Sequence, residues 1–370
     1  MLEKDSPSRK DPAERQAAPN PQASPYRILF ICGSLNQTTM MHKVARNFPP
    51  EQCFFTPYYA TGFLGWLARL GALNFSILGG RHRRACLRYL RQQHLQVDLH
   101  GRNGPYDLVV TGSDVIMPSN IRRSRVLLVQ EGMLEQENWA FPLVRYFGWP
   151  RFLANTAATG QSKAYDLFCV ASEGYREHLA SRGIDRSKMV VTGIPNFDDA
   201  ASYLQNDFPR KHYVLALTSS IRETFGHDDR DAYLRKVQEL ARGREVIFKL
   251  HPNEDPHRAI SEIRRYFPHE SILLGGDAHA MIANCDLLVA QNSSAIFTAY
   301  TLGKEVYSYL DENRTKALLP LQNRGTSHLR IAEVARKLLQ TPLPVLRGQK
   351  PSRGSAWNPR RSTNPFDSQA

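Results

Sequence analysis

Short apolar runs alternate with helical stretches along most of the chain, and each run ends at a polar or glycine-containing turn. The first run, residues 27–32, leads into Gly33 and Ser34 and is followed by a predicted helix over residues 35–47. Further strands are predicted at residues 53–55, 107–111, 126–130, 167–171 and 189–193. Strands that alternate with helices are typical of a doubly wound parallel sheet. We therefore expect the first part of the chain to form an α/β domain.

A second series of strands and helices begins after residue 212. Its strands are predicted at residues 213–218, 246–250, 272–274, 286–290 and 306–309, and its helices at residues 231–242, 257–267, 278–284, 295–302 and 331–339. Residues 196–211 break the alternation and are interpreted as a linker. The predicted fold class is therefore α/β, with two doubly wound domains, residues 26–200 and 201–340, facing a central cleft.

The length and the two ends of the chain agree with this division. A chain of 370 residues exceeds the size that one hydrophobic core usually reaches, so two domains are the natural expectation. Residues 1–25 and 341–370 are rich in Pro, Ser and charged residues and hold few large apolar ones. Such segments cannot bury enough apolar surface to fold, and both are predicted to be disordered tails.

Polar residues in the second domain stand where two predicted strands end. One strand ends at His251 and Pro252, and another runs into Ser293 and Ser294 before an apolar helix. Backbone N–H groups at a helix start attract phosphate, and an imidazole can carry a proton near neutral pH. Each feature alone has a structural explanation, because serines often cap helices and a His-Pro pair can end a strand. Their occurrence together, each at the end of a strand, favours an anion-binding site.

The predicted site draws on turns from both domains. The residues expected to contact the phosphates of a nucleotide donor are Lys249, Pro252, Asn253, Asn292, Ser293, Ser294, Ser219, Ser220 and Arg222. In the first domain, the residues expected to line the cleft are Gly33, Ser34, Gly193 and Asn196. No metal-binding constellation is apparent, so we expect neither a metal ion nor another cofactor.

Composition adds a preference for anionic partners. The formal net charge is +13, and nine arginines fall within residues 81–125. Nucleotides, anionic lipid or nucleic acid would suit this charge, but no nucleic-acid-binding module is recognisable, so no nucleic acid partner is expected. The five cysteines lack CxxC spacing and several lie within apolar runs. That pattern is typical of reduced thiols in a cytosolic protein.

One segment of the first domain has features of a membrane interface. Residues 62–73 are mostly apolar and include Trp66, and a basic cluster follows at residues 81–84. Such a segment could lie in the interface and attract anionic lipid; alternatively, it is a helix packed on the sheet and followed by a solvated basic helix. The N-terminus lacks the apolar stretch of a signal peptide, and no run is long enough to span a bilayer. We predict a cytoplasmic protein. The interfacial interpretation would place residues 62–91 against the inner face of the cytoplasmic membrane, and the packed-helix interpretation is slightly favoured over it.

Several motifs resemble those of GT-B fold nucleotide-sugar enzymes. The resemblance is carried by residues 191–196, 249–253 and 292–294, together with 302–304. The His-Pro and Ser-Ser pairs are similar to motifs of bacterial polysialyltransferases and CDP-glycerol glycerophosphotransferases, in which they hold the donor's phosphates. UDP-N-acetylglucosamine 2-epimerases look similar as well, but residues 293–298 lack the glutamate that contacts the ribose in those enzymes.

The resemblance implies transfer of a sugar or polyol phosphate from a nucleotide-activated donor to a hydroxyl of a glycan or lipid-linked acceptor. His251 and the serines would stabilise the departing phosphate, and a base from the first domain would take the acceptor's proton. Glu131 is the first candidate for that base and Asp114 the second, although a carboxylate at a strand end often has a structural role. The alternatives are an epimerase of the same fold and a non-catalytic membrane-associated scaffold.

Overall fold

The first domain is built on a parallel sheet of six strands. The computed structural model describes residues 26–71, 78, 80–133, 139–224 and 228–346. The strands are β1 (Ile28–Cys32), β2 (Cys53–Pro57), β3 (Leu108–Thr111), β4 (Arg125–Val129), β5 (Leu167–Val170) and β6 (Met189–Val191), in the order β2-β1-β3-β4-β5-β6. The helices of this part are α1 (Leu35–Ala45), α2 (Gly62–Arg69), α3 (Gly80–Gln92), α4 (Phe141–Phe147) and α5 (Glu173–Ser181). Strands β1, β3 and β5 are buried along their whole length, as expected for parallel strands covered on both faces.

The second domain has a parallel sheet of five strands. They are β7 (Val214–Leu217), β8 (Val246–Lys249), β9 (Ser271–Leu273), β10 (Leu287–Ala290) and β11 (Glu305–Tyr307), in the order β11-β10-β7-β8-β9. The helices that follow along the chain are α6 (Arg230–Ala241), α7 (Pro256–Tyr266), α8 (Ala278–Asn284), α9 (Ala295–Thr301), α10 (Glu312–Ala317), α11 (Ser327–Gln340) and α12 (Leu343–Leu346). The two doubly wound domains predicted from the alternating pattern are therefore present.

The last helices return to the first domain, which corrects the predicted boundaries. In α11, Ile331 and Leu338 are fully buried in the core cluster that includes Phe30 and Val110 of the first sheet. The apolar stripe of α11 predicts a helix but fits the face of either sheet. Leu346 of α12 packs against the same cluster, so residues 341–346 are not part of a disordered tail. The remaining parts of the two predicted tails, 1–25 and 347–370, lie outside the described residues.

The two domains also meet through α9. Phe297 of α9 forms edge-to-face contacts with Tyr175 and Phe197 of the first domain, with ring centroids 6.2 and 6.5 Å apart. In α5, Gly174 lies so close to the carbonyl of Ala317 that a Cβ atom would overlap it. These contacts fix the start of α9 beside the first domain. Among the described helices, none is both long and apolar enough to cross a membrane.

Candidate functional site

Three polar turns lie side by side at one edge of the second sheet. Strands β10, β7 and β8 are neighbours and parallel. The turns that follow them are formed by residues 291–294, 218–220 and 251–253, respectively. Since adjacent strands lie about 4.8 Å apart, the turns of His251 and Ser293 are separated only by the turn that follows β7. The imidazole and the serine hydroxyls that the sequence singles out therefore belong to the same edge of one sheet.

The turn after β7 connects its two neighbours by hydrogen bonds. Thr218 Oγ1 accepts the backbone N–H of His251 at 3.0 Å, and Ser219 Oγ donates to Gln291 Oε1 at 2.5 Å. Gln291 directly precedes Asn292 in the serine turn. The predicted phosphate-binding turns thus form one connected unit rather than three independent loops.

The His251 imidazole is half-buried and has a defined proton arrangement. Its Nδ1 accepts the backbone N–H of Asn253 at 3.1 Å. Burial, reinforced by the charge of Lys249, lowers the pKa of His251, and Glu223 opposes this with a smaller effect. The neutral ring therefore carries its proton on Nε2, which makes it a hydrogen-bond donor.

The Ser294 side chain does not cap α9, although serines at helix starts often do. Ser294 is the N-cap residue of α9, but its side chain makes no capping hydrogen bond. Ser293 Oγ accepts the backbone N–H of Ala295 at 3.3 Å, a long bond within the same turn. Asn292 is exposed. Capping therefore does not explain Ser294, and its hydroxyl stays available for a ligand.

A buried charged cluster lies beneath these turns, and the sequence analysis missed it. The buried Arg230 pairs with Glu254 at 2.6 Å and with Asp228 at 3.0 Å. Glu254 in turn accepts the hydroxyl of Thr218, and Asp228 accepts the Gln291 amide at 2.7 Å. The cluster thereby fixes Thr218 and Gln291, which both take part in the hydrogen bonds that connect the turns. No periodic pattern marks it, because its members come from separate loops that only the fold brings together.

Lys249 and Arg222 were predicted to bind phosphate, but both side chains bind other groups of the protein, which corrects their assignment. The Lys249 ammonium is buried and donates to the carbonyls of Leu250 at 2.9 Å and Leu274 at 3.3 Å. Burial lowers the pKa of Lys249. The Arg222 guanidinium pairs with Glu262 at 2.7 Å and lies 3.4 Å from Asp228. Neither side chain is therefore placed to bind a phosphate.

The other predicted donor-side residues lie at the surface of the turns. Pro252 and Asn253 are exposed, and Ser220 is half-buried in the turn after β7. Their positions agree with a site that opens from this edge of the sheet. Their contacts with a donor stay a prediction.

Glu131 is held between the turns after β1 and β4 in the first domain. Ser34 Oγ donates to Glu131 Oε1 at 2.7 Å and also accepts the backbone N–H of Gln37, capping α1. The Gln37 amide donates to the second carboxylate oxygen. A Cβ atom on Gly33 would overlap the end of the Gln37 side chain, so a larger residue there would displace the amide that binds Glu131. At Gly112, after β3, a Cβ would lie 3.3 Å from the same side chain, which crosses above that strand.

The electrostatics of Glu131 suit a general base. Burial raises the pKa of Glu131, while the hydrogen bonds from Ser34 and Gln37 and the charge of His82 oppose that rise. A carboxylate with a raised pKa and a fixed orientation accepts a proton more readily than a solvated one. His82 lies at the start of α3, so this helix also faces the candidate base.

Asp114 has a structural role, which corrects its assignment as a candidate base. Its side chain is fully buried, and its two carboxylate oxygens accept the backbone N–H groups of Gly160 and Ser162, each at 2.9 Å. Both partners lie in the loop before β5. A carboxylate enclosed in this way cannot meet an acceptor hydroxyl.

Replacement of Asp114 by alanine should therefore destabilise the fold without affecting donor binding. Two buried backbone N–H groups lose their partners, so we expect the free energy of unfolding to fall by about 2–4 kcal/mol. Urea denaturation followed by circular dichroism measures this change. Full stability combined with lost turnover would instead indicate a direct role in the reaction.

The remaining cleft residues, Gly193 and Asn196, make structural contacts. Gly193 is buried with a φ of 75°, and a Cβ atom there would overlap the Ser327 side chain of the returning chain. Gly193 was predicted to line the cleft, but it is covered by the returning chain. Asn196 is half-buried, and its amide donates to the carbonyl of Asn36 at 2.9 Å, close to Ser34.

The donor-side turn and Glu131 lie on opposite sides of the contact between the domains. Phe197, which packs against Phe297, also lies 3.3 Å from the position that a Cβ of Gly132 would occupy. Gly132 follows Glu131, and Ser294 precedes Phe297 by one helical turn. The start of α9 and the turn that carries Glu131 are therefore both close to Phe197.

The described residues contain no group of three or more His, Cys, Asp or Glu side chains that could hold a metal ion. Asp229 and Asp231 have Asp-X-Asp spacing, which the sequence analysis overlooked. Asp229 accepts the backbone N–H of Ala232 at 2.9 Å and so caps α6. The spacing is therefore explained by the helix start.

Comparison with known proteins identifies the fold. No protein-family model matches the chain, and no curated protein is similar to it in sequence. A solved UDP-N-acetylglucosamine 2-epimerase from Neisseria meningitidis, bound to UDP-GlcNAc, is 12% identical with a TM-score of 0.51 and covers 84% of this chain and 100% of its own. Another UDP-N-acetylglucosamine 2-epimerase is 13% identical with a TM-score of 0.50, covering 91% and 100%. The wall teichoic acid polymerase TagF is 10% identical with a TM-score of 0.48, covering 86% and 90%.

These similarities concern the fold. The two epimerase structures match over nearly their whole length, and the predicted GT-B-like arrangement of two doubly wound domains is confirmed. The TagF match, at its lower score, does not add to this assignment. At such low identity, the chemistry of this chain has to be argued from its own residues.

Proposed function

We propose that this chain transfers a sugar or polyol phosphate from a nucleotide-activated donor to a hydroxyl acceptor, in the assembly of a surface polysaccharide or glycolipid. One observation carries the proposal. The His251 and Ser293–Ser294 turns share one sheet edge, and Phe297 of α9 packs on Phe197. Phe197 also lies beside the residue that follows Glu131, whose carboxylate is oriented by two hydrogen bonds. This arrangement supports a site in which a departing phosphate and the base for an incoming hydroxyl face the same cleft.

The proposed step uses each of these groups once. The acceptor oxygen bonds to the sugar carbon, or to the phosphorus of the polyol phosphate, and the bond from that atom to the nucleotide phosphate breaks. Nε2 of His251, the hydroxyls of Ser293 and Ser294 and the positive end of the α9 dipole stabilise the charge that develops on the departing phosphate. The acceptor's proton passes to Glu131.

Nucleotide binding and product analysis test this function. We expect one of CMP, CDP, UDP or GDP to bind with a calorimetric signal that His251→Ala preserves, and nucleotide release from the matching donor to require an acceptor. An epimerase would convert its sugar substrate without any acceptor. Failure of all four nucleotides to bind would contradict a donor site. The expectation that no metal ion is needed stays a prediction, which assays with and without EDTA check.

The first domain carries exposed aromatic residues that support contact with a membrane. In α2, Phe63 is 70% and Trp66 51% exposed, and their rings stack at 5.8 Å. Gly65, on the opposite side of the helix, is buried. One side of α2 therefore packs on the domain, while the other presents aromatic rings to solvent. We propose that the exposed side, with the basic α3 behind it, contacts anionic lipid.

A second exposed aromatic segment lies around α4, and the sequence analysis missed it. Trp139 is 76% and Phe147 73% exposed, and Tyr146 and Trp149 are exposed as well. Gly160, which follows this segment, and Ala68 of α2 both pack on the cluster around Phe168. The second segment itself packs through Phe141 and Val144 in a small separate cluster. Trp and Tyr prefer the interface between lipid and water, so we propose that this segment contacts lipid as well.

Removal of the exposed rings should weaken vesicle binding. The variants Phe63→Ser/Trp66→Ser and Trp139→Ser/Phe147→Ser are each expected to reduce co-sedimentation with anionic vesicles by at least about tenfold, because each loses two insertable rings. Leu329→Ser, at an exposed apolar position on α11, is the matched control. Unchanged vesicle binding by both double variants would contradict the surface.

A further inference from the structure

A cavity of about 580 Å³ lies in the first domain beside the carboxyl end of β2. The lining residues that matter here are Tyr59, Thr61, Arg83, His100, Arg102 and Asn120. Strand β2 stands three positions from β4 in the sheet, so the cavity lies roughly 14 Å from the end of the strand that carries Glu131. The proposed transfer step gives this cavity no role.

The backbone around the cavity is fixed by specific local contacts. Gly65 allows α2 to approach residue 60, because a Cβ atom would lie 2.5 Å from the Ala60 carbonyl oxygen. His100 has a φ of 66°, its N–H donates to Thr56 Oγ1 at 2.9 Å, and its carbonyl accepts the Asn120 amide at 3.0 Å. A left-handed conformation at a non-glycine residue persists only where the surroundings hold it. The cavity is therefore a formed feature of the domain.

The charge of the cavity is entirely positive. Neither Arg83 nor Arg102 has an acidic partner within the described ranges, and no acidic residue lines the cavity. Asp98, the carboxylate closest in sequence to Arg102, is occupied by the Tyr106 hydroxyl and by the backbone N–H groups of Arg102 and Asn103. Two unpaired guanidinium groups beside an imidazole form a typical environment for a phosphate, because arginine binds phosphate oxygens through its planar fork.

The cavity and the candidate base lie at the same edge of the first sheet, because β2 and β4 are parallel strands of it. His82 precedes Arg83 at the start of α3 and is close enough to Glu131 to lower its pKa. A ligand anchored in the cavity would reach Glu131 by extending along this edge of the sheet, past the start of α3. The volume exceeds that of a phosphate alone and suits a phosphate with an attached sugar or polyol unit.

We propose that this cavity binds a phosphate group carried by the acceptor and so positions the acceptor's hydroxyl at Glu131. The proposal rests on the proposed transferase function and specifies its acceptor as a phosphate-bearing molecule. The phosphate could belong to a soluble phosphorylated polyol or to a lipid headgroup, since α2 lines the cavity through Gly65 and Ala68 and presents Phe63 and Trp66 to solvent on its other side.

Direct binding tests the proposal without knowledge of the natural acceptor. The probes are glycerol 3-phosphate in solution and vesicles that contain phosphatidic acid, compared with phosphatidylserine vesicles of equal charge. Arg83→Gln and Arg102→Gln are each expected to weaken binding of the responsive probe at least about tenfold, because each removes a charged donor. Arg84→Gln, one residue further along the exposed part of α3, is the matched control. Melting temperatures check that the variants are folded.

The outcomes separate this proposal from the one on which it rests. A response to glycerol 3-phosphate alone supports a soluble acceptor, and a preference for phosphatidic acid vesicles supports a lipid one. Equal losses in Arg84→Gln would show general charge attraction and overturn the site. Nucleotide binding without any phosphate probe binding would overturn the cavity assignment while leaving the donor site intact. Phosphate binding without nucleotide binding would overturn the acceptor role.

Discussion

The Glu131→Gln variant is expected to transfer its group about 10²–10⁴-fold more slowly than the wild-type protein, while it still binds the nucleotide. The amide keeps the size of the side chain and can still accept a hydrogen bond from Ser34, so the fold should be preserved. It cannot accept the acceptor's proton. The rate of acceptor-dependent nucleotide release, compared with the calorimetric dissociation constant for the nucleotide, separates the two effects.

The pH profile gives a second measurement of the same role. Burial raises the pKa of Glu131, and only the ionised carboxylate can act as a base. The wild-type kcat/KM should therefore rise with pH and reach its plateau above the usual glutamate range. The residual activity of Glu131→Gln should lack this acidic limb. Glu51→Gln, at an exposed glutamate of the same domain, should leave both rate and profile unchanged. An unaltered profile in Glu131→Gln would place the base elsewhere.

Much of the fold follows from local sequence pattern. Apolar runs such as residues 107–111 and 286–290 are long enough for strands and too short for helices, and the helices between them require parallel strands. Association of α11 with a particular sheet has no comparable local signal. Its Ile331 and Leu338 form an apolar stripe that either sheet could bury, and only the return of the chain to the first domain decides.

Sequence pattern locates the site more reliably than it identifies which side chains are available to bind a ligand. The strand-end rule identifies the turns at His251 and Ser293, because it depends on backbone topology. The partner of a charged side chain depends on distant residues, and Asp114 illustrates this with ligands 46 and 48 residues away. For the same reason Arg222 looked like a phosphate ligand, although Glu262 neutralises it.

Exposed aromatic residues were missed for a different physical reason. Trp139 and Phe147 have the composition of a core segment, and apolar residues in a strand-helix domain are usually buried. Their exposure follows from the arrangement of α4, which buries Phe141 and Val144 in a small separate cluster. Sequence pattern shows how apolar a helix is, while its packing decides which rings face solvent.

His251→Ala is expected to lower kcat by about 10²–10³-fold, because it removes one donor to the phosphate that gains charge in the transition state. Nucleotide affinity should change much less, since the serine turn and the backbone of α9 are retained. The Asn253 N–H that loses its Nδ1 partner is on an exposed residue, so water replaces the bond and the free energy of unfolding should change by less than about 1 kcal/mol. Single-turnover rates, nucleotide dissociation constants and urea denaturation measure the three quantities.

Two comparisons separate this role of His251 from a purely structural one. His251→Gln retains an N–H donor and should recover part of the lost rate, whereas His257→Ala, at an exposed histidine on α7, should behave like the wild-type protein. Because folding lowers the pKa of His251, wild-type stability should decrease as pH falls below about 6.5, and His251→Ala should lose less over that range. The altered pH dependence of stability checks that the ring has been removed. A wild-type rate in that His251→Ala variant would show that the imidazole makes no contact with the departing phosphate. The donor site would then depend on the serine turn alone.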